Sequence, residues 1–201
     1  KKHFKQRTLQ INKRFNLKKN DLIIDIGGND GTFLNNFNNL KKDLKTLCVD
    51  PTFKTSNFAK KLGIKVFRDF FGLDTSRKIK KKYGSPKIIL CTNTFGAIND
   101  MQDFVSGLQN LMDDNTIFIY ENPYLIDTLS GLQFDTMYYE HISYFSLNPM
   151  QKFFKRFDMN IIDYSKSKIH GGSIYFTNEI TFSSSALIND YFSSFNDEVK
   201  D

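Results

Sequence analysis

Two stretches of this 201-residue chain hold residue types that can do chemistry. The first is "FDTMYYEHISYFS", Phe134 to Ser146, where Glu140 and His141 sit among five aromatic residues. Histidine titrates near neutrality, so His141 in a pocket is suited to take a proton from a substrate. A plainer reading stands beside it. Tyr138, His141 and Phe145 are 3 and 4 residues apart, the spacing of one stripe on a short helix. A histidine on such a stripe packs as a satisfied core residue, and periodicity alone leaves both readings open. Of the other two histidines, His170 in "IHGGS" reads as part of a tight turn between strands, and His3 as a surface residue.

The second stretch is "IDIGGNDGTFL", a glycine-rich loop that follows an apolar run. Glycines let the backbone turn tightly and come close to a ligand. Asp25, Gly27 and Gly31, with Gly28 beside them, resemble the D-x-G-x-G-x-G loop of S-adenosylmethionine (SAM) enzymes. Asn29 replaces the middle glycine, and asparagine is the non-glycine residue that best tolerates positive φ. Asp50 follows the last loop glycine by 50 − 31 = 19 residues, at the end of the next apolar run. A carboxylate there can accept hydrogen bonds from both ribose hydroxyls of an adenosine. The loop "GGNDGT" lacks the G-x-G-x-x-G pattern of a pyrophosphate-binding dehydrogenase. The plainer alternative is a structural turn with a surface aspartate.

The elements that position these residues follow from apolar patterning. Residues 1–20 read as an N-terminal helix, with Phe4, Leu9, Ile11 and Phe15 as its apolar points, leading into the domain. "DLIIDIGG" is a buried parallel strand, and "GTFLNNFNNLKKD" a helix after it. "LKTLCVDP", "IKVFRD", "KIILCTN" and "TIFIYENP" continue as strands, with "SNFAKKLG" and "DFVSGLQNLM" as helices between them. "PMQKFFKRFD" is a helix for which Asn148 is the expected N-cap and Pro149 the first helical residue. "NIIDYSKSK" and "GGSIYFTNE" lie so close in sequence that they must pair antiparallel. Such alternation predicts an α/β Rossmann-like fold, a mostly parallel sheet with an antiparallel terminal strand. In it, ligands bind at the carboxyl ends of the strands where the strand order switches. The domain is expected over residues 21–177, with 178–201 a C-terminal extension.

Beyond the cofactor loop, the chain resembles SAM-dependent C-methyltransferases that act on nucleotide-linked keto-deoxysugars. The resemblance runs from about His3 to Phe176 and rests on "DIGGNDGTFL", "CTNTFGAINDMQDFVSGLQNLM", "YENPYL", "FDTMYYEHISYFSL" and "HGGSIYF". It implies the class I methyltransferase fold, SAM as cofactor and a nucleotide-linked sugar as small-molecule substrate. In the family's reaction a base removes the proton next to a 4-keto group, and the resulting carbanion takes the methyl group. The resemblance makes His141 that base. Glu140 would orient it or bind substrate, and Tyr138 would donate to the developing oxyanion. By analogy of position, Asp69 and Phe70 fall near the adenine ring and Asn93 near the cofactor's amino-acid end.

The chain departs from the family in three places. Ala97, in "TNTFGAI", stands where the family carries an active-site histidine. The family's N-terminal zinc module with four cysteines is absent, and with it an upstream tyrosine. The family also continues into a second α/β domain. The expectation is a fragment or a reduced relative, whose missing modules belong to further domains or a partner chain. Two other readings follow: an O-methyltransferase of a sugar or other small acceptor, and a SAM-binding domain that needs a partner to turn over.

Composition narrows the partners. The formal net charge is +6, but the lysines are spread along the chain apart from "RKIKKKYG", which reads as the solvated end of a helix. No nucleic-acid partner is expected. No apolar run reaches 18 residues, and the basic N-terminus lacks an apolar signal region, so neither a membrane span nor a secretory leader is expected. Cys48 and Cys91 sit singly in apolar runs. They predict a reducing, cytoplasmic location, no disulfide and no metal site.

Overall fold

The computed structural model describes residues 2–133, 135, 139–167 and 173–180. Tyr138, His170 and most of the expected C-terminal extension, residues 181–201, lie outside the described residues.

Seven strands form one sheet: β1 (Leu22–Ile26), β2 (Lys45–Val49), β3 (Lys65–Phe67), β4 (Ile88–Thr92), β5 (Ile117–Pro123), β6 (Met159–Ser167) and β7 (Ser173–Ile180). Their order is β3-β2-β1-β4-β5-β7-β6. The first five run parallel. β7 runs antiparallel to β6, as the short connection required, and also to β5.

Helices cover both faces because the central strands are apolar on both faces. Ile23 of β1, Ile88 and Leu90 of β4 and Ile119 of β5 pack toward α1 (Lys2–Phe15), α2 (Thr32–Leu40) and α3 (Phe53–Lys61). The alternate residues Ile24, Ile89, Phe118 and Tyr120 pack toward α4 (Leu73–Tyr83), α5 (Met101–Leu111) and α7 (Leu147–Lys155). This two-residue alternation is the strand period. The second face has an aromatic centre. Phe95 is fully buried, with Tyr120, Phe145 and Phe104 rings at 5.0, 5.3 and 5.4 Å. It anchors a 3₁₀ turn, Phe95–Ala97, directly after β4. A short helix, α6 (Leu125–Ser130), follows β5. Neither the turn nor α6 is legible in the sequence pattern.

Two expectations are corrected. α7 starts at Leu147 with Ser146 as N-cap, so Pro149 is the third helical residue and not the first. That position still suits proline, because the first turn's N–H groups have no intrahelical acceptor. His3 is not a surface residue. Its side chain is 24% exposed, and Nε2 contacts the Tyr175 hydroxyl and, at 3.3 Å, Glu121 Oε2. The Tyr175 hydroxyl also donates to Glu121. The amphipathic stripe of α1 carries His3 to the sheet, which residue type alone does not reveal. Both cysteines are free and buried. Among the described residues, no helix is long and apolar enough to cross a membrane.

Candidate active site

The carboxyl ends of β1 and β4 are neighbours, and the connections after them leave toward opposite sides of the sheet. This is the switch point where an open α/β sheet forms its crevice. The loop after β1 turns through three left-handed residues, Gly27 (φ 71°), Asn29 (φ 50°) and Gly31 (φ 77°). Asn29 therefore keeps the geometry that glycine would supply. At Gly27 a Cβ would lie 2.6 Å from Thr94 Cγ2, so the absence of a side chain lets this loop meet the loop after β4. Asp30 Oδ1 accepts the Thr32 N–H at 2.9 Å and fixes the start of α2.

Asp50 ties the loop to β2. Its Oδ2 accepts the Asn29 N–H at 2.9 Å, and its Oδ1 accepts the Thr52 N–H at 2.8 Å. An ionised carboxylate has about four acceptor positions, so each oxygen can take one more hydrogen bond. The pair of ribose hydroxyls of an adenosine supplies two such donors, so this residue fits the group. Asp25, 4% exposed, lies below the loop. Burial, then the charges of Asp50 and Asp30, push its carboxyl up to about 8, so it carries a proton at neutral pH. Burial likewise pushes the Cys48 thiol up to about 12. Neither cysteine offers a thiolate nucleophile.

The remaining predicted cofactor residues are less closely gathered. Asp69 pairs with Lys78 at 3.4 Å, and Phe70 is 79% exposed at the outer end of β3. Asn93 adopts φ 53°, and its N–H donates to Glu121 O at 2.8 Å. Asn93 lines a small cavity together with His141.

That cavity, about 10 Å³, is lined by Asn93, Gly96, Asn122, Pro123, His141, Ser143 and Tyr144. It lies at the carboxyl ends of β4 and β5. Residues 139–145 form no helix, so His141 and Phe145 do not share a helical stripe; Tyr138 lies outside the described residues. The segment is instead tied down at two points. Ser143 N–H donates to Gly96 O at 3.1 Å, and Leu125 N–H donates to Phe145 O at 2.9 Å. Phe145 is buried against Phe95, and the Tyr144 ring stands edge-on to His141 at 6.2 Å. Glu140 is exposed and does not line the cavity. Among the described residues no cluster of side chains could hold a metal ion.

Sequence reasoning did not assign Asn122, Thr94 and Glu121. The run "YENPYL" contains two of them, but strand register alone decides that Glu121 faces α1 while Asn122 faces the His141 cavity.

A family model described as methyltransferase domain matches residues 2–164. The C-methyltransferase NovU of Streptomyces niveus is 29% identical over 161 residues, 80% of this chain and 38% of that protein. The chain thus spans about two fifths of the length of this curated relative. A SAM-dependent methyltransferase from Clostridium acetobutylicum has a similar structure, with a TM-score of 0.66 at 14% identity, covering 89% of this chain and 91% of that one. The magnesium protoporphyrin IX methyltransferase of Synechocystis gives 0.66 at 11%, covering 90% and 83%. These identities make the structural likeness one of fold. With the strand order, the switch-point loop and the family match over most of its length, the chain belongs to the methyltransferase domain family and has the class I fold of SAM-dependent methyltransferases.

Proposed function

We propose that this chain methylates carbon on a nucleotide-linked 4-keto-deoxysugar, with SAM as methyl donor. The observation that carries the reading is the convergence, at one end of the sheet, of the Asp50-tied loop and the cavity holding His141. The family resemblance carried by "FDTMYYEHISYFSL" and the relative named a C-methyltransferase support carbon as the acceptor atom.

Asp25, Gly27, Gly28, Asn29, Gly31 and Asp50 would hold the donor, Asp50 at the ribose hydroxyls. Asp69, Phe70 and Asn93 are assigned to its adenine and amino-acid ends. When bound, SAM supplies a methyl group on a cationic sulfur that departs as a neutral thioether. His141 takes the proton from the carbon beside the ketone, and the C–H electron pair moves toward the carbonyl oxygen as an enolate. Glu140 orients the base or binds substrate, and Tyr138 donates to the oxyanion. The tether of Ser143 to Gly96 fixes the segment so that this proton transfer needs little reorganisation.

Calorimetry with SAM tests the cofactor. Solvent deuterium uptake next to the ketone of thymidine- and uridine-diphosphate-linked 4-keto-6-deoxyhexoses tests the chemistry. His141→Asn is expected to lower exchange and methyl transfer by about 10²–10⁴-fold while SAM still binds. Unchanged exchange in that variant removes His141 as the base. Methyl transfer without any exchange points to oxygen as the acceptor. SAM binding with neither points to a domain that needs a partner.

A further inference from the structure

Asn122 sits in β5, opposite Ile174 of β7, and is 1% exposed. Neither its Oδ1 nor its Nδ2 has a hydrogen-bond partner. A buried amide with both ends unpaired is costly, and native structures rarely leave one without a purpose. Asn122 lines the same cavity as His141. The cavity's volume, about 10 Å³, is that of roughly one water or one ligand oxygen.

The space in front of the amide is kept open by Gly96. A Cβ at that position would lie 3.1 Å from Ser143 O and 3.9 Å from Asn122 Oδ1, entering the gap between the His141 segment and the amide. Asn93, His141, Ser143 and Tyr144 line the cavity with Asn122, and Gly96 and Pro123 complete it. A neutral donor as buried as Asn122 interacts with developing negative charge more strongly than it would in water.

We propose that Asn122 is a catalytic residue whose Nδ2 donates a hydrogen bond to the acceptor's carbonyl oxygen, stabilising the enolate formed when His141 removes the neighbouring proton. This rests on the carbon-methylation reading above and adds a residue to it. As His141 takes the proton, the C–H pair becomes the enolate C=C bond and the carbonyl π pair goes to oxygen; the Asn122 amide, held by no partner at either end, turns its N–H to meet it. When the new carbon–carbon bond forms, the C=O bond is restored. No further reactant is required.

The test is solvent deuterium exchange with the 4-keto sugars above in the full chain, with SAM affinity measured in parallel. Asn122→Leu, close in size and without a donor, is expected to lose about 10²–10³-fold in exchange rate with SAM affinity within twofold of wild type. Asn122→Ser keeps a donor and is expected to exchange at least tenfold faster than the Leu variant, which a packing role would not produce. Exchange within threefold of wild type in Asn122→Leu overturns the proposal. A second readout uses the wild-type chain alone, by following the Asn122 side-chain N–H signals in NMR during titration with hydroxyacetone, a small ketone. If no keto sugar exchanges but these signals move, the sugar reading fails and the carbonyl site stands. If no sugar exchanges and the signals stay still, the proposal falls as well.

Discussion

Asp25 shows how a single buried carboxyl sets a solution property. Its folded-state value of about 8 exceeds the unfolded value near 3.9, chiefly through burial. The folded chain therefore holds this proton between about pH 4 and 8, where the unfolded chain has released it. Stability from this group is present below pH 4 and is lost as pH rises through that window. Asn, which resembles the protonated acid and cannot ionise, removes the dependence. Urea unfolding of wild type and Asp25→Asn across pH 4–8 should show the wild type losing more stability with rising pH. Parallel curves would mean that Asp25 ionises normally. At the neighbouring Asp50, two backbone N–H donors fix the carboxylate in place. It is held ready for a ligand before one arrives.

At the scale of elements, two connections matter most: the turn after β1 and the segment from β4 into the 3₁₀ turn. They touch at Gly27 and Thr94. Gly27 and Gly63 share nearly the same backbone, φ 71° and 77°, but nothing lies within 4 Å of a Cβ placed at Gly63. Alanine at Gly63 is expected to cost about 1–2 kcal/mol, the penalty for an L-residue in the left-handed region. Alanine at Gly27 should cost more, because Thr94 must also move, and should weaken SAM binding at least tenfold. Denaturant titration and calorimetry of both variants check this. Equal losses of stability would show that the two loops do not press on each other. On the opposite face, His3, Tyr175 and Glu121 hold α1 against the strand ends, a contact that joins residues 118 and 172 positions apart.

At the scale of the whole molecule, the sheet places the site and the two helical layers hold the sheet. A ligand that binds only the folded chain stabilises it by mass action, by about 2.7 kcal/mol at a hundred times its dissociation constant. For a chain of this length that corresponds to a rise of roughly 5–10 °C in Tm. Scanning calorimetry with SAM should show such a rise for wild type. Asp50→Ala, which lacks the carboxylate proposed to accept from the ribose, should show less than about 2 °C. An equal rise in both would move the ribose away from Asp50.

Much of this arrangement was legible in the amino-acid order. Continuous apolar runs ending in glycine or proline fixed the parallel strands, because a strand buried on both faces must be apolar throughout. The glycines at 27 and 31 with Asn29 between them marked a tight turn, because few residue types tolerate its backbone angles. The aromatic run around His141 was visible too, but its periodicity suggested a helix, and its described residues 139–145 form none. Contacts with Gly96, Tyr124 and Leu125, distant in sequence, hold Ser143 and Phe145 in place instead. His3 looked like a surface residue, and Asn122 like one polar letter at the end of a strand. The sequence by itself determined the succession of strands along the chain and the left-handed turn after β1, since local apolar patterning and backbone chemistry control both. Only the tertiary structure decided which side chains share a cavity: the register of β5 turns Glu121 to one face and Asn122 to the other, and no local pattern encodes what waits there.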